Sequence, residues 1–74
     1  MEELFIQKFR EVLEADNLEI KPEDKFREYE EWSSLVYLSL IAMIDEEFDV
    51  IIDGKDFKQL NTVGEIIGAV KARM

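Results

Sequence analysis

The sequence predicts an all-α fold: a small four-helix bundle with three longer helices, one short third helix and a long first loop. Three observations carry that prediction. Apolar residues recur at helical spacing in three separate stretches, near residues 2–15, 33–48 and 62–74. A threonine and a glutamate, Thr62 and Glu65, stand three apart where the last stretch begins, the signature of a reciprocally capped helix start. Between the first two stretches lies a connection too irregular for any single period, and it contains the only proline, Pro22.

The first helix is predicted from about Glu2 to Ala15. Phe5, Phe9, Val12 and Leu13 follow the i, i+4, i+7, i+8 template and Ile6 widens the stripe. Glu2 and Glu3 suit the positive end of the helix dipole, and Asp16-Asn17 is the expected stop. From Asn17 to Ser33 a long loop follows, with Leu18, Ile20, Phe26, Tyr29 and Trp32 spaced along it. Loops of this length in compact domains are uncommon and are often functional. The apolar side chains predict a loop pinned to the core, with part of it forming a short helical turn.

The second helix starts at Ser33 or Ser34 and ends near Phe48. Tyr37, Leu40, Ile41, Ile44 and Phe48 share one face of roughly 100° and are expected in the core. Leu35, Val36 and Met43 project elsewhere, beside Ser39 and Glu46, so the helix is apolar well beyond one stripe. Such a helix is either buried all round or kept for a partner. The segment after it is irregular, with Val50 and Ile52 expected inward, and a short third helix is expected over Lys55 to Leu60. Thr62 caps the fourth helix, whose stripe is Val63, Ile66, Ile67 and Val70, extended by Met74. Lys71 and Arg73 fall in its last turn, where the dipole favours cations.

At 74 residues the chain is one small domain, residues 1–74, with little room for a deep private pocket. It has no cysteine and no histidine. The first absence rules out disulfides and thiolate metal sites; the second removes the commonest general base and the commonest metal ligand. Any nucleophilic serine here lacks a histidine partner in its own chain. Eighteen acids against nine bases give a net charge of −9. That balance disfavours nucleic acid and favours docking on basic protein surfaces. Lys8, Arg10 and Lys25 to Arg27 read as scattered surface residues. An acidic start without a signal-peptide pattern, and no run of transmembrane length, predict a soluble cytoplasmic chain with no membrane insertion; a monomer is expected.

Two chemical readings fail on inspection. The acids from Asp45 to Asp56 suggest a calcium loop, but with Asp53-Gly54 in the fifth and sixth places the third ligand is Ile51 and the twelfth Leu60. Glu30 and Glu31 beside two serines lack an oxyanion hole, so a carboxylate hydrolase has no support. Ser34 is the ambiguous residue. It either caps the second helix or, with Ser33 as a competing cap, offers a hydroxyl at a helix N-terminus. An attached phosphoester would meet free backbone N–H groups there, with Glu28, Glu30 and Glu31 opposing it.

Taken together, the stretches Ser33-Ser34-Leu35, Leu38-to-Ile44 (LSLIAMI), Asp45-Glu46-Glu47-Phe48 and Thr62-Val63-Gly64-Glu65 resemble the acyl carrier protein family across essentially the whole chain. That family shows Asp-Ser-Leu at the start of its second helix and an acidic cluster before a Phe. Phe26 and Trp32 resemble positions of its first loop. The resemblance implies a non-enzymatic carrier with 4′-phosphopantetheine on Ser34, donated from coenzyme A by a phosphopantetheinyl transferase. Acyl-loading, condensing and acyl-transferring enzymes with basic docking surfaces would then approach Leu35, Val36, Met43, Asp45 and Glu46. Two departures qualify it. Ser33 replaces the family's Asp, a residue implicated in recognition by the transferase, and Val36 and Ser39 stand where many fatty-acid carriers have acids. The reading that follows is an acyl carrier for a specialised fatty-acid or polyketide-type pathway. A peptidyl or D-alanyl carrier, and an unmodified carrier-like interaction module, are the alternatives.

Overall fold

The computed structural model describes all 74 residues as four α-helices: α1 (Glu2–Leu13), α2 (Ser34–Phe48), α3 (Gly54–Phe57) and α4 (Val63–Arg73). A single 3-10 turn, Phe26–Glu28, interrupts the long first loop. Fifteen apolar residues form one buried cluster, and no polar or charged residue is buried with them. None of the helices is long and apolar enough to cross a membrane.

α1 buries Phe5, Phe9 and Leu13, with Ile6 and Val12 packed at the margin. It stops earlier than the spacing suggests, because Glu14 adopts φ 55°, a left-handed cap that turns the chain. The loop beyond it is pinned as expected: Ile20 and Phe26 are buried, and Leu18, Tyr29 and Trp32 pack on the core. Backbone bonds also hold it. Pro22 O accepts from Gly64 N (2.7 Å), Asp24 O accepts from Val63 N (3.0 Å), and Lys25 pairs with Thr62 in an isolated bridge. A methyl group on Gly64 would lie 3.1 Å from that Pro22 oxygen, so the close approach favours glycine.

α4 is capped as its sequence predicts. Thr62 Oγ1 accepts from Glu65 N (3.2 Å), and Glu65 Oε1 accepts from the N–H of Thr62 (2.9 Å) and Asn61 (2.7 Å). Those donors hold the Glu65 carboxyl below its usual value. Val63, Ile66, Ile67 and Val70 are buried, while Met74 is exposed beyond the last turn and does not extend the stripe. α3 is a single turn, shorter than the expected Lys55–Leu60, and Phe57 anchors it. Val50 and Ile52 are buried as expected.

The seat of α2 differs from the one its spacing suggests. Its buried residues are Leu40, Met43 and Ile44, with Tyr37, Ile41 and Phe48 only partly buried. Met43 is 7% exposed, so it belongs to the core rather than to an outer docking face. At about 100° per residue Met43 lies some 60° from Leu40 on the side away from Ile41. The neighbours of α2 enclose that flank too, and the buried arc is therefore centred near Leu40.

Candidate functional site

The two serines have distinct surroundings. Ser33 takes the extended backbone of an N-cap, and its Oγ accepts from Val36 N (3.2 Å). Ser34 is the first residue of α2 and is exposed, and no protein group accepts from its N–H or that of Leu35. Ser33 thus does the capping, and Ser34 presents a free hydroxyl over two unpaired backbone donors. Serine and aspartate are comparable caps. A serine at position 33 in place of the Asp that the resemblance implies therefore preserves the helix start and lacks only a negative charge.

An aromatic cluster fixes where this hydroxyl sits. Trp32 lies against Phe26 (4.9 Å between ring centroids), Phe9 (6.5 Å, edge-on) and Phe57 (6.2 Å, rings within 5° of parallel). Tyr37, one turn into α2, packs on Phe57 at 5.0 Å. The residues on either side of the serines are therefore held to α1, the loop and α3 together. Such aromatic pairs add about 0.5–1.5 kcal/mol each beyond area burial.

Beside Ser34 is an open depression of about 460 Å³ walled by Trp32, Tyr37 and Phe57, with Arg27 and Lys58 also lining it. The Arg27 guanidinium donates to the carbonyls of Leu60 and Phe57 (3.2 Å to the latter) and lies 4.6 Å over the Phe26 ring. Neither Arg27 nor Lys58 forms an ion pair; the four in the molecule are Lys8–Glu47, Lys21–Glu19, Lys71–Glu2 and Arg73–Asp56. Arg27 is thus part of the site's surroundings, which its place in the sequence does not suggest. Two unpaired N–H donors, two cations and an apolar wall suit a phosphodiester continued by a flexible chain. No three His, Cys, Asp or Glu side chains are grouped to hold a metal ion.

The outer face of α2 carries Leu35 (73% exposed) and Leu38 (61%), with Asp45 and Glu46 exposed further along. Val36 is half-buried at the edge of a hollow shared with Val12 and Leu13. Leu38 is absent from the surface residues that the sequence singles out. Its spacing of three from Leu35 and seven from Asp45 is the signal that places it there.

Residues 3–70 match the model of the phosphopantetheine attachment site family. The chain belongs to that family and is a phosphopantetheine carrier, built for covalent 4′-phosphopantetheine. Carrier domains of this kind are typically non-catalytic and generally interact with a phosphopantetheinyl transferase and with catalytic partner enzymes.

Proposed function

We propose that residues 1–74 form a monomeric, non-enzymatic, cytoplasmic acyl carrier domain whose arm is attached at Ser34. The observation that carries this reading is the division of labour between the serines: Ser33 Oγ is engaged by Val36 N–H, and Ser34 is exposed with no competing partner. Ser34 Oγ forms a P–O bond to the pantetheine-side phosphorus of coenzyme A as the diphosphate bond breaks and adenosine 3′,5′-bisphosphate leaves. The base that takes its proton comes from the transferase: the chain has no histidine, and no carboxylate lines the depression beside Ser34. The group supplies a terminal thiol that holds acyl intermediates as thioesters, which a chain without cysteine cannot do itself.

Partners dock on the outer face of α2. Leu35 and Leu38 supply apolar contact, Val36 lies at its edge, and Asp45 and Glu46 meet basic residues of the partner. The missing acids at Val36 and Ser39 support a carrier for a specialised fatty-acid or polyketide-type pathway. Slow loading by housekeeping fatty-acid enzymes, against a common carrier, is the expected result; equal rates remove the pathway assignment.

Intact mass spectrometry tests the attachment site. Incubation with coenzyme A and a broad-specificity phosphopantetheinyl transferase should add one arm to the native chain and to Ser33→Ala, and none to Ser34→Ala. An arm that persists in Ser34→Ala overturns the assignment.

A further inference from the structure

The chain carries twice as many acids as bases, yet the depression beside Ser34 is lined by two cations and no carboxylate. Neither cation has an ion-pair partner. Arg27 is held in place by two backbone carbonyls and two aromatic rings, Phe26 and Phe57, so its charge is positioned without being neutralised. Hydrogen bonds to neutral carbonyls leave a guanidinium its full charge. On its other side Arg27 borders a second hollow, shared with Lys25, Glu28 and Asn61. The remaining walls of the first depression are the rings of Trp32, Tyr37 and Phe57. The floor is closed: Phe26 and Phe57 are buried, and Phe57 packs against both Trp32 and Tyr37. An arm attached at Ser34 can lie along these rings.

We propose that this depression is a docking site for the proximal part of the arm, with Arg27 and Lys58 receiving its anionic group and the aromatic wall its apolar segment. The proposal rests on attachment at Ser34. The depression adjoins the attachment residue, so the part of the arm that fills it is the nearest part. That part consists of the phosphodiester and the gem-dimethyl carbon beyond it, an anion followed by a compact apolar group. The order matches the cations and rings that line the hollow. A carboxylate at the far end of a cargo offers the same anionic chemistry, and the experiment separates the two sources.

Trp32 is the only tryptophan, so its fluorescence reports on the depression directly. The protein is compared in its apo form, in its holo form with a free thiol, and in the holo form loaded with a carboxylate-terminated acyl group. Phosphorus-31 resonances are recorded for both holo forms, and intact mass establishes the arm in each. The expected result is a shift in Trp32 emission from apo to holo, before any cargo is loaded. Lys58→Gln should lose part of that shift and move the phosphorus resonance toward that of the same phosphodiester in the urea-unfolded holo protein. The Lys58 side chain is exposed and makes no hydrogen bond or ion pair, so this variant keeps the fold; Arg27→Gln serves as a second variant. Identical apo and holo emission with a complete mass gain overturns the docking site while leaving attachment intact. A response that appears only with the carboxylate cargo overturns the phosphodiester assignment. Absence of any mass gain overturns attachment and the docking site together.

Discussion

Ser33 and Ser34 are identical neighbours that the fold uses differently, and their variants should separate accordingly. Ser33→Ala loses the cap on α2 and should cost about 1 kcal/mol by urea or thermal unfolding, while still accepting the arm. Ser34→Ala should unfold like the native chain and accept nothing. The pair Asp24 and Tyr29 permits a similar test. Tyr29 Oη donates to Asp24 Oδ2 at 2.7 Å, and Lys21 N donates to the same oxygen at 3.0 Å. The hydrogen bond from Tyr29, then that from Lys21, lowers the Asp24 carboxyl. Burial, then the bond to Asp24, raises the Tyr29 phenol well above its usual range. A lowered acid contributes stability above its unfolded value, near pH 4, and that contribution is lost as pH falls through the folded value. The raised phenol contributes below about pH 10 and loses its contribution as pH rises through its folded value. Tyr29→Phe should therefore let the Asp24 carboxyl rise toward its ordinary value, read by NMR titration of its side-chain carbon. An unchanged Asp24 titration would show that Lys21 N alone sets it.

Two glycines of α4 make opposite predictions at the scale of the element. Gly68 is exposed, and a methyl group there meets nothing within 4 Å. Gly68→Ala should stabilise by roughly 0.5–1 kcal/mol through helix propensity. Gly64→Ala gains the same propensity but drives its Cβ against the backbone oxygen and ring of Pro22, at 3.1 and 3.3 Å. The loop there is held by two backbone hydrogen bonds, Gly64 N to Pro22 O and Val63 N to Asp24 O, so it resists shifting. A net loss of about 1 kcal/mol or more is expected, as for other overpacked sites. Legibility follows the same division between local and distant causes. The start of α4 was readable because Thr62 and Glu65 cap it within one turn, and α1 because its stripe faces one side. α3 was readable in position but not in extent. One turn is too short to specify itself, and it depends on Phe57 packing against residues far away in sequence. The buried arc of α2 depends on what flanks the helix, which its own period does not encode, hence the change at Met43. At the site, the serine pair was legible from its place before an apolar run. Arg27 was not, because the turn after Lys25 and the end of α3 come together only in the folded chain.

For the whole molecule, charge and core make separate demands. Eighteen acids on 74 residues repel one another, and screening should relieve this while weakening attraction to a basic partner. Raising salt should thus slow modification by the transferase without unfolding the carrier; a rate flat with ionic strength assigns recognition to Leu35 and Leu38 instead. Leu38→Asp should slow partner transfer by about tenfold, the effect of losing a contact worth about 1.4 kcal/mol, with unchanged thermal unfolding. Core residues should behave in the opposite way. Phe9, fully buried and ringed by Phe5, Tyr29 and Trp32, should cost roughly 3–5 kcal/mol as Phe9→Ala, enough to unfold a domain of this size. The residues that would greet a partner and those that hold the chain together barely overlap. Leu35, Leu38, Asp45 and Glu46 lie outside the buried cluster and make no side-chain hydrogen bond or ion pair. That outer face works as an address label on a parcel already sealed. Rewriting those four positions to match another carrier should redirect the protein to that carrier's enzymes, with no need to repack the helix beneath.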